Sequence, residues 1–325
     1  MAFAPMTTAG GGRRRMGARA SRAAANRTVL GSMELRSPLI AAAGTVGSVW
    51  EWASIADVSV YGAAVAKSVS PTPWDGREAP RIAPTETGML NGIGIQNPGI
   101  DAWSETIGPR IPSLDVPVWG SAVAQDVDGF ALVAKGLEAS GAAAIEVNLS
   151  CPNLEDGEMF SFDAARSRDV LEALSSSVTI PVGAKLSPNT PDIVGVAATC
   201  HSAGADFVVL TNTAFGFGVS PYDRRPLLSG GVGGYSGPGL KPISLRCVFE
   251  VSRAAPEIPV VGCGGVSTGR DIVEYLMTGA SAVQAGTLHL AEPRAGKRLL
   301  RELRQEMKRL GVQSVSELVG TVGEW

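Results

Sequence analysis

The sequence predicts a (β/α)8 barrel, and three observations carry that prediction. Short apolar runs recur eight times from residue 38 onward, helix-length stretches alternate with them, and polar residues collect where the runs end. Continuous apolar runs of this length suit strands buried on both faces, as in a parallel sheet. Eight strand–helix units are the content of an ordinary barrel of this kind, and 325 residues accommodate it. The competing doubly wound sheet lacks its signature, because no Gly-x-Gly-x-x-Gly follows the first strand.

The eight runs are Pro38–Gly44, Ala63–Ser68, Val116–Ser121, Ala143–Asn148, Pro181–Leu186, Phe207–Asn212, Ile258–Gly265 and Ala282–Thr287. Helices are predicted over Asp128–Ser140, Asp163–Ser176, Pro191–Ala203, Pro242–Ala254, Thr268–Thr278 and Pro293–Leu310. Asp163 and Thr268 are suited to N-capping, and Thr190 is suited to capping a helix with Pro191 at its first position. Gly141, Gly204 and Gly279 follow helical runs as stop signals, each leading at once into a strand. The stretch Thr28–Arg36 reads as a small hairpin closing the bottom of the barrel. Two long gaps, Val69–Leu114 and Ala214–Leu240, read as excursions over the C-terminal mouth, where such barrels place their active sites.

Composition is that of a globular protein, 45% hydrophobic and 18% charged, and the 40 glycines and 21 prolines imply many tight turns. A net charge of -3 gives no whole-chain attraction to nucleic acid. No apolar run approaches the roughly 20 residues needed to cross a bilayer. Cys151, Cys200, Cys247 and Cys263 lie far apart with no Cys-x-x-Cys pair. That spacing indicates neither a metal or iron–sulfur site nor a disulfide scaffold, and a reducing cytoplasm fits best. Residues 1–27 are Arg- and Ala-rich with no acidic residue, and read as a disordered tail, a misassigned start or a targeting segment. Residues 28–325 are expected to form a single barrel domain.

Lys67, Asn148, Lys185, Asn212, Gly264-Gly265 and Gly286-Thr287 fall at or just past C-terminal strand ends, so a barrel gathers them at one mouth. Two lysines ending apolar strands are costly to bury unpartnered, and an anionic ligand would resolve that cost. The glycines of the last two loops allow close backbone approach to a phosphate, with the helix starting near Thr268 adding its N-terminal dipole. Tight βα turns alone would also explain them. Cys151 sits in Asn148-Leu-Ser-Cys151-Pro-Asn153. A thiol nucleophile usually needs a histidine; His201 faces the wrong end, while His289 follows the eighth strand and stays open as a partner. An inert buried thiol and a general base acting without histidine are the remaining readings.

Four phrases, in order and compatibly spaced, carry a resemblance over about residues 28–320. They are Gly88-Met-Leu-Asn91-Gly-Ile-Gly-Ile-Gln-Asn97-Pro-Gly99, the Cys151 phrase, Lys185-Leu-Ser-Pro188-Asn189 and Ser236-Gly237-Pro-Gly-Leu-Lys241-Pro242. Together they resemble the class one dihydroorotate dehydrogenases. The resemblance implies an FMN-containing barrel that oxidises dihydroorotate to orotate in pyrimidine synthesis. It implies that Cys151 removes the ring C5 proton while a hydride leaves C6 for flavin N5. Lys67 then stands near both flavin and substrate; Asn91 with Gly92, Ile93, Gly94 and Ile95 holds the substrate carboxylate and ring; and Asn148, Asn212 and Thr213 bond the pyrimidine edge. Lys185 stands beside flavin N1, where positive charge stabilises reduced flavin. Gly237, Gly264, Gly265, Gly286 and Thr287 match ribityl and phosphate contacts, and Ala43, Gly44, Ser68, Ser121 and Thr211 complete the cofactor set.

The phrase Asn91–Asn97 is most similar to the B-type enzymes, whose partner subunit carries FAD and an iron–sulfur cluster and uses NAD. That implies an electron-transfer partner here, with a homodimer core or a heterotetramer, and neither nucleic acid nor a membrane as a partner. Ala43 stands where the family usually has Ser, and Ser121 where B-type relatives often have Asn. Three other readings compete with this one. A dihydrouridine synthase would need a basic RNA-binding surface and a C-terminal helical domain. A dihydropyrimidine dehydrogenase-like module would reduce uracil or thymine. A non-catalytic FMN-barrel scaffold would be eroded at the mouth, where Lys67, Asn91, Asn148, Cys151, Lys185 and Asn212 are all intact.

Overall fold

The computed structural model describes residues 25–150 and 160–323. Its N-terminal hairpin is β1 (Thr28–Leu30) and β2 (Met33–Leu35), antiparallel with Thr28 opposite Leu35. Then come β3 (Leu39–Ala41), β4 (Ala63–Val65), β5 (Ile82–Thr85), β6 (Gly88–Asn91), β7 (Val118–Ala122), β8 (Ala144–Asn148) and β9 (Val182–Leu186). The remainder are β10 (Phe207–Leu210), β11 (Ala214–Gly216), β12 (Val219–Ser220), β13 (Arg225–Pro226), β14 (Gly233–Ser236), β15 (Val260–Cys263) and β16 (Ala282–Ala285). Eight of these close into the predicted barrel, in the order β10-β15-β16-β3-β4-β7-β8-β9, every pairing parallel.

The strands read as uniformly apolar runs, yet the closed sheet sorts them by the two-residue period of the pleat. Leu39, Ala64, Val118, Ile145, Val147, Ala184 and Val208 face the helices. Ile40, Ala63, Val65, Trp119, Phe207, Val209 and Val261 face inward. The hairpin seals the floor as expected: Leu30 and Leu35 join that inner cluster, and Thr28 Oγ1 donates to the Ser281 carbonyl at 2.7 Å. Trp119 and Phe207 fill the lower lumen with ring centroids 5.0 Å apart. Opposite Phe207 the strand carries Gly183, where a Cβ would lie 2.1 Å from the phenyl ring.

The helices follow the sequence reading within three residues, the last starting at Gly296 rather than Pro293, and one has a different cap. The fifth-strand helix runs Ile193–Ser202 and is capped by Asp192, whose carboxylate accepts from Gly195 N–H. Thr190, expected as the cap, instead accepts from Asp192 N–H at 3.4 Å, because Pro191 belongs to the turn before the helix. Asp163 caps Ala164–Ser175, and Thr268 caps Gly269–Thr278 in a capping box with Asp271. Replacing Thr268 by alanine should cost about 1 kcal/mol, read as a lower urea midpoint at unchanged slope.

The two excursions meet over the mouth in a four-stranded antiparallel sheet, β11-β14-β6-β5, around Ala83, Leu90 and Leu228. A two-stranded ribbon of β12 and β13 extends from it. Among the described residues no helix is long and apolar enough to cross a membrane.

Candidate active site

At the C-terminal mouth lies a cavity of about 630 Å³, within the roughly 300–1,000 Å³ range of small-molecule and cofactor sites. Every site residue named from the sequence, Cys151 aside, lines it. The barrel contributes Ala43 and Gly44 after β3, Lys67 and Ser68 after β4, Ser121 on β7, Asn148 on β8 and Lys185 on β9. Thr211, Asn212 and Thr213 follow β10, Gly264 and Gly265 follow β15, and Gly286 and Thr287 follow β16. The mouth sheet and its connections add Asn91, Gly92, Ile93, Gly94, Ile95 and Gly237. Cys151, Pro152 and Asn153 lie outside the described residues, as do residues 1–24 of the predicted tail. Ser150 borders the cavity and is tied to the barrel by its hydroxyl, which donates to the Lys185 carbonyl at 3.1 Å.

Carboxamides form one wall. Asn212 Nδ2 donates to Asn148 Oδ1 at 3.2 Å, and Thr213 N–H donates to Asn212 Oδ1 at 2.9 Å. Asn91 Nδ2 donates to the Gly234 carbonyl at 3.1 Å across the β6–β14 ladder. The segment after Asn91 is held against its conformational preference: Ile95 has φ 53°, a left-handed value that costs a β-branched residue of the order of 1–3 kcal/mol. Buried Asn97 maintains it, donating to the Ile95 carbonyl at 2.9 Å and accepting from Ser70 and Gly99 N–H.

The opposite end is built for close backbone approach. Gly44 has φ +81°, and a Cβ there would meet nothing within 4 Å, so its backbone faces open space. Gly264 and Gly265 have φ +136° and +69°, values that exclude ordinary side chains. Thr287 Oγ1 donates to Ser236 Oγ at 2.9 Å, and Ser68 and Ser121 share a hydroxyl hydrogen bond of 2.8 Å. The helix at Thr268 does not contribute as expected. Asp271 Oδ2 accepts from Ser267 and Thr268 N–H, Glu302 accepts from Gly269 N–H, and Thr268 Oγ1 accepts from Asp271 N–H. Protein acceptors therefore take the N–H groups of Ser267, Thr268, Gly269 and Asp271 at this end of the helix.

Lys185 also differs from the expectation of a cation awaiting an anionic ligand. Its Nζ donates to Glu146 Oε1 at 3.1 Å and to Gln284 Oε1 at 3.0 Å, so its partner is built in. Burial opposes its charge, but Glu146 outweighs that and holds the ammonium above its usual range. Cys263 lines the same cavity, and burial pushes its thiol up, which keeps it protonated.

Neither histidine serves the mouth. His201 bonds the Ala205 carbonyl through Nδ1 at the C-terminal end of its helix. His289 is buried behind the eighth strand, 2.9 Å from the Tyr61 hydroxyl and against the Trp52 ring. Burial, outweighing the opposite pulls of Ala285 and Glu292, lowers its pKa from 6.5 to about 4. Its contribution is therefore complete above pH 6.5 and is lost as pH falls toward 4, by roughly 2–3 kcal/mol. Urea titrations at pH 7 and 4.5 should show that decline, and a His289→Gln variant should show a shallower one; equal slopes would refute it.

Sequence reasoning missed Glu146, Gln284, Ser236 and Arg77. Glu146 and Gln284 had a signal, each being the single strongly polar residue inside an apolar strand. Arg77 had none: it reaches the cavity rim from an excursion, its Nη1 donating to the Val232 carbonyl at 2.9 Å.

The fold and the cavity agree with what the chain is similar to. The family model described as dihydroorotate dehydrogenase matches residues 25–307. A protein of Citrifermentans bemidjiense named dihydroorotate dehydrogenase B (NAD(+)), catalytic subunit, is 39% identical over 292 residues, covering 89% of this chain and 95% of the relative. Relatives of the same name from Desulforudis audaxviator, 39% identical, and Listeria monocytogenes, 36% identical, cover 90% and 88% of this chain and 95% and 94% of their own lengths. A barrel with this mouth, matched over nearly its whole length, belongs to the dihydroorotate dehydrogenase family.

Proposed function

We propose that the cavity holds FMN and that this chain oxidises (S)-dihydroorotate to orotate, the redox step of de novo pyrimidine (UMP) biosynthesis. One observation carries the reading: the amide wall, Lys67 and the glycine-lined end, named separately along the sequence, enclose one cavity of suitable size. The residues present fit the cofactor. The Gly44 backbone faces open space, Gly264, Gly265, Gly286 and Thr287 line the same cavity, and the buried Lys185 donor borders it.

When bound, FMN supplies the two-electron acceptor that takes hydride from substrate C6. The chain's own residues do the rest. Cys151 accepts the C5 proton, so that the C5–C6 single bond becomes double. Asn91 and the backbone of Gly92–Ile95 hold the carboxylate and ring, Asn148, Asn212 and Thr213 bond the pyrimidine edge, and Lys67 stands near both substrate and cofactor. Cys263 is a poor alternative base, because burial keeps its thiol protonated.

The relatives' name, dihydroorotate dehydrogenase B (NAD(+)), catalytic subunit, supports a partner subunit for this chain and NAD as final acceptor; FAD and an iron–sulfur cluster on that partner rest on the resemblance of the Asn91–Asn97 phrase alone. A homodimer core or heterotetramer, a cytoplasmic location and a single barrel domain over residues 28–325 belong to the same proposal.

The test is anaerobic addition of dihydroorotate to the purified protein while flavin absorbance is followed. Bleaching is the expected result. Absence of bound flavin, or reduction of uracil or thymine with indifference to orotate, overturns the reading. Recovery of colour with NAD only when a partner subunit is present supports the B-type assignment; recovery with fumarate alone contradicts it.

A further inference from the structure

Three side chains from three strands close a hydrogen-bonded triangle inside the barrel, beneath the cavity. Glu146 is the third residue of β8, Lys185 the fourth of β9 and Gln284 the third of β16. Two strands separate β16 from β9 around the barrel, so Gln284 reaches across the lumen rather than to a neighbour. Lys185 Nζ donates to Glu146 Oε1 and to Gln284 Oε1, and Gln284 Nε2 donates to Glu146 Oε2 at 2.5 Å. Glu146 and Gln284 are 0% exposed and Lys185 6% exposed. Lys185 and Glu146 both border the cavity.

The triangle has two consequences. Two of the ammonium's three donors are committed, which fixes Nζ in space and leaves one for an acceptor in the cavity. The carboxylate also balances the charge where solvent cannot screen it. A ligand above Lys185 therefore meets a directed donor on a nearly neutral pair, not a free cation. Resting on the FMN reading above, we propose that Glu146 and Gln284 are positioning residues that act through Lys185 and hold the reduction potential of bound FMN below the value that Lys185 alone would impose.

Isosteric charge changes test this. In FMN-loaded enzyme, Glu146→Gln removes the balancing charge and should raise the FMN midpoint potential. The expected shift is at least tenfold in the two-electron reduction equilibrium, about 30 mV. Gln284→Glu adds a charge at the same triangle and should lower it. The double variant Glu146→Gln/Gln284→Glu moves the carboxylate from one corner to another and should return the potential close to wild type. A perturbation of packing alone would move both single variants in the same direction. An unchanged potential in Glu146→Gln, shifts of one sign in both single variants, or a double variant that does not return overturns the proposal. If a single variant does not retain FMN, the double variant decides: retention with a near-wild-type potential supports the proposal, and loss of FMN refutes it. Wild-type protein without FMN would instead refute the functional reading itself.

Discussion

Replacing Cys151 by alanine should leave FMN bound but slow its anaerobic reduction by dihydroorotate by roughly 10²–10⁴-fold, the contribution of a positioned general base. The substrate C5 proton must go to a base, and the described part of the cavity offers no good substitute. His289 is enclosed behind the eighth strand with Tyr61, His201 lies at the far end of its helix, and burial keeps the Cys263 thiol protonated. Cys151→Ser should also be severely slowed, since a hydroxyl is a far weaker base than a thiolate at neutral pH. Stopped-flow absorbance separates the reductive step from reoxidation. Orotate affinity, measured by its perturbation of the flavin spectrum, should change much less than the rate. Wild-type reduction rates in Cys151→Ala would remove this residue from the chemistry while leaving the fold and cavity untouched.

The second large effect is on stability. Lys185→Met conserves much of the side-chain volume but leaves the Glu146 carboxylate inside the barrel with Gln284 as its sole remaining partner among the described residues. Breaking a buried ion pair from one side typically costs about 3–5 kcal/mol, because the remaining charge keeps its desolvation penalty without compensation. The urea midpoint should fall accordingly, in the FMN-free protein as well, since both partners belong to the chain. Adding Glu146→Gln to Lys185→Met should recover much of the loss. A Lys185→Met protein as stable as wild type would mean that the pair is hydrated in solution.

Much of this architecture was legible because it is local. Asp163 and Thr268 announce helix starts, Gly141, Gly204 and Gly279 announce stops, and each structural counterpart lies within a residue or two. Thr190 failed as a cap because Pro191 belongs to the turn before the helix, which puts Asp192 at the N-cap position. The mouth sheet was illegible: β5, β6, β11 and β14 come from segments more than a hundred residues apart and pair only once the barrel has brought both excursions to one rim.

The site divides along the same line. The sequence by itself determined the strand–helix order, the family's motifs and the residues that meet at the mouth, because each follows from chain order and strand polarity. Only the tertiary structure decided what those residues do to one another. Glu146 and Gln284 stand out as polar residues inside apolar runs, but the runs name no partner for them until closure points both at Lys185. The N-terminus of the Thr268 helix likewise looked free to bind an anion until Asp271 and Glu302 were found bonded to it. Burial, charge balance and hydrogen-bond occupancy are properties of neighbours in space, and chain order alone does not contain them.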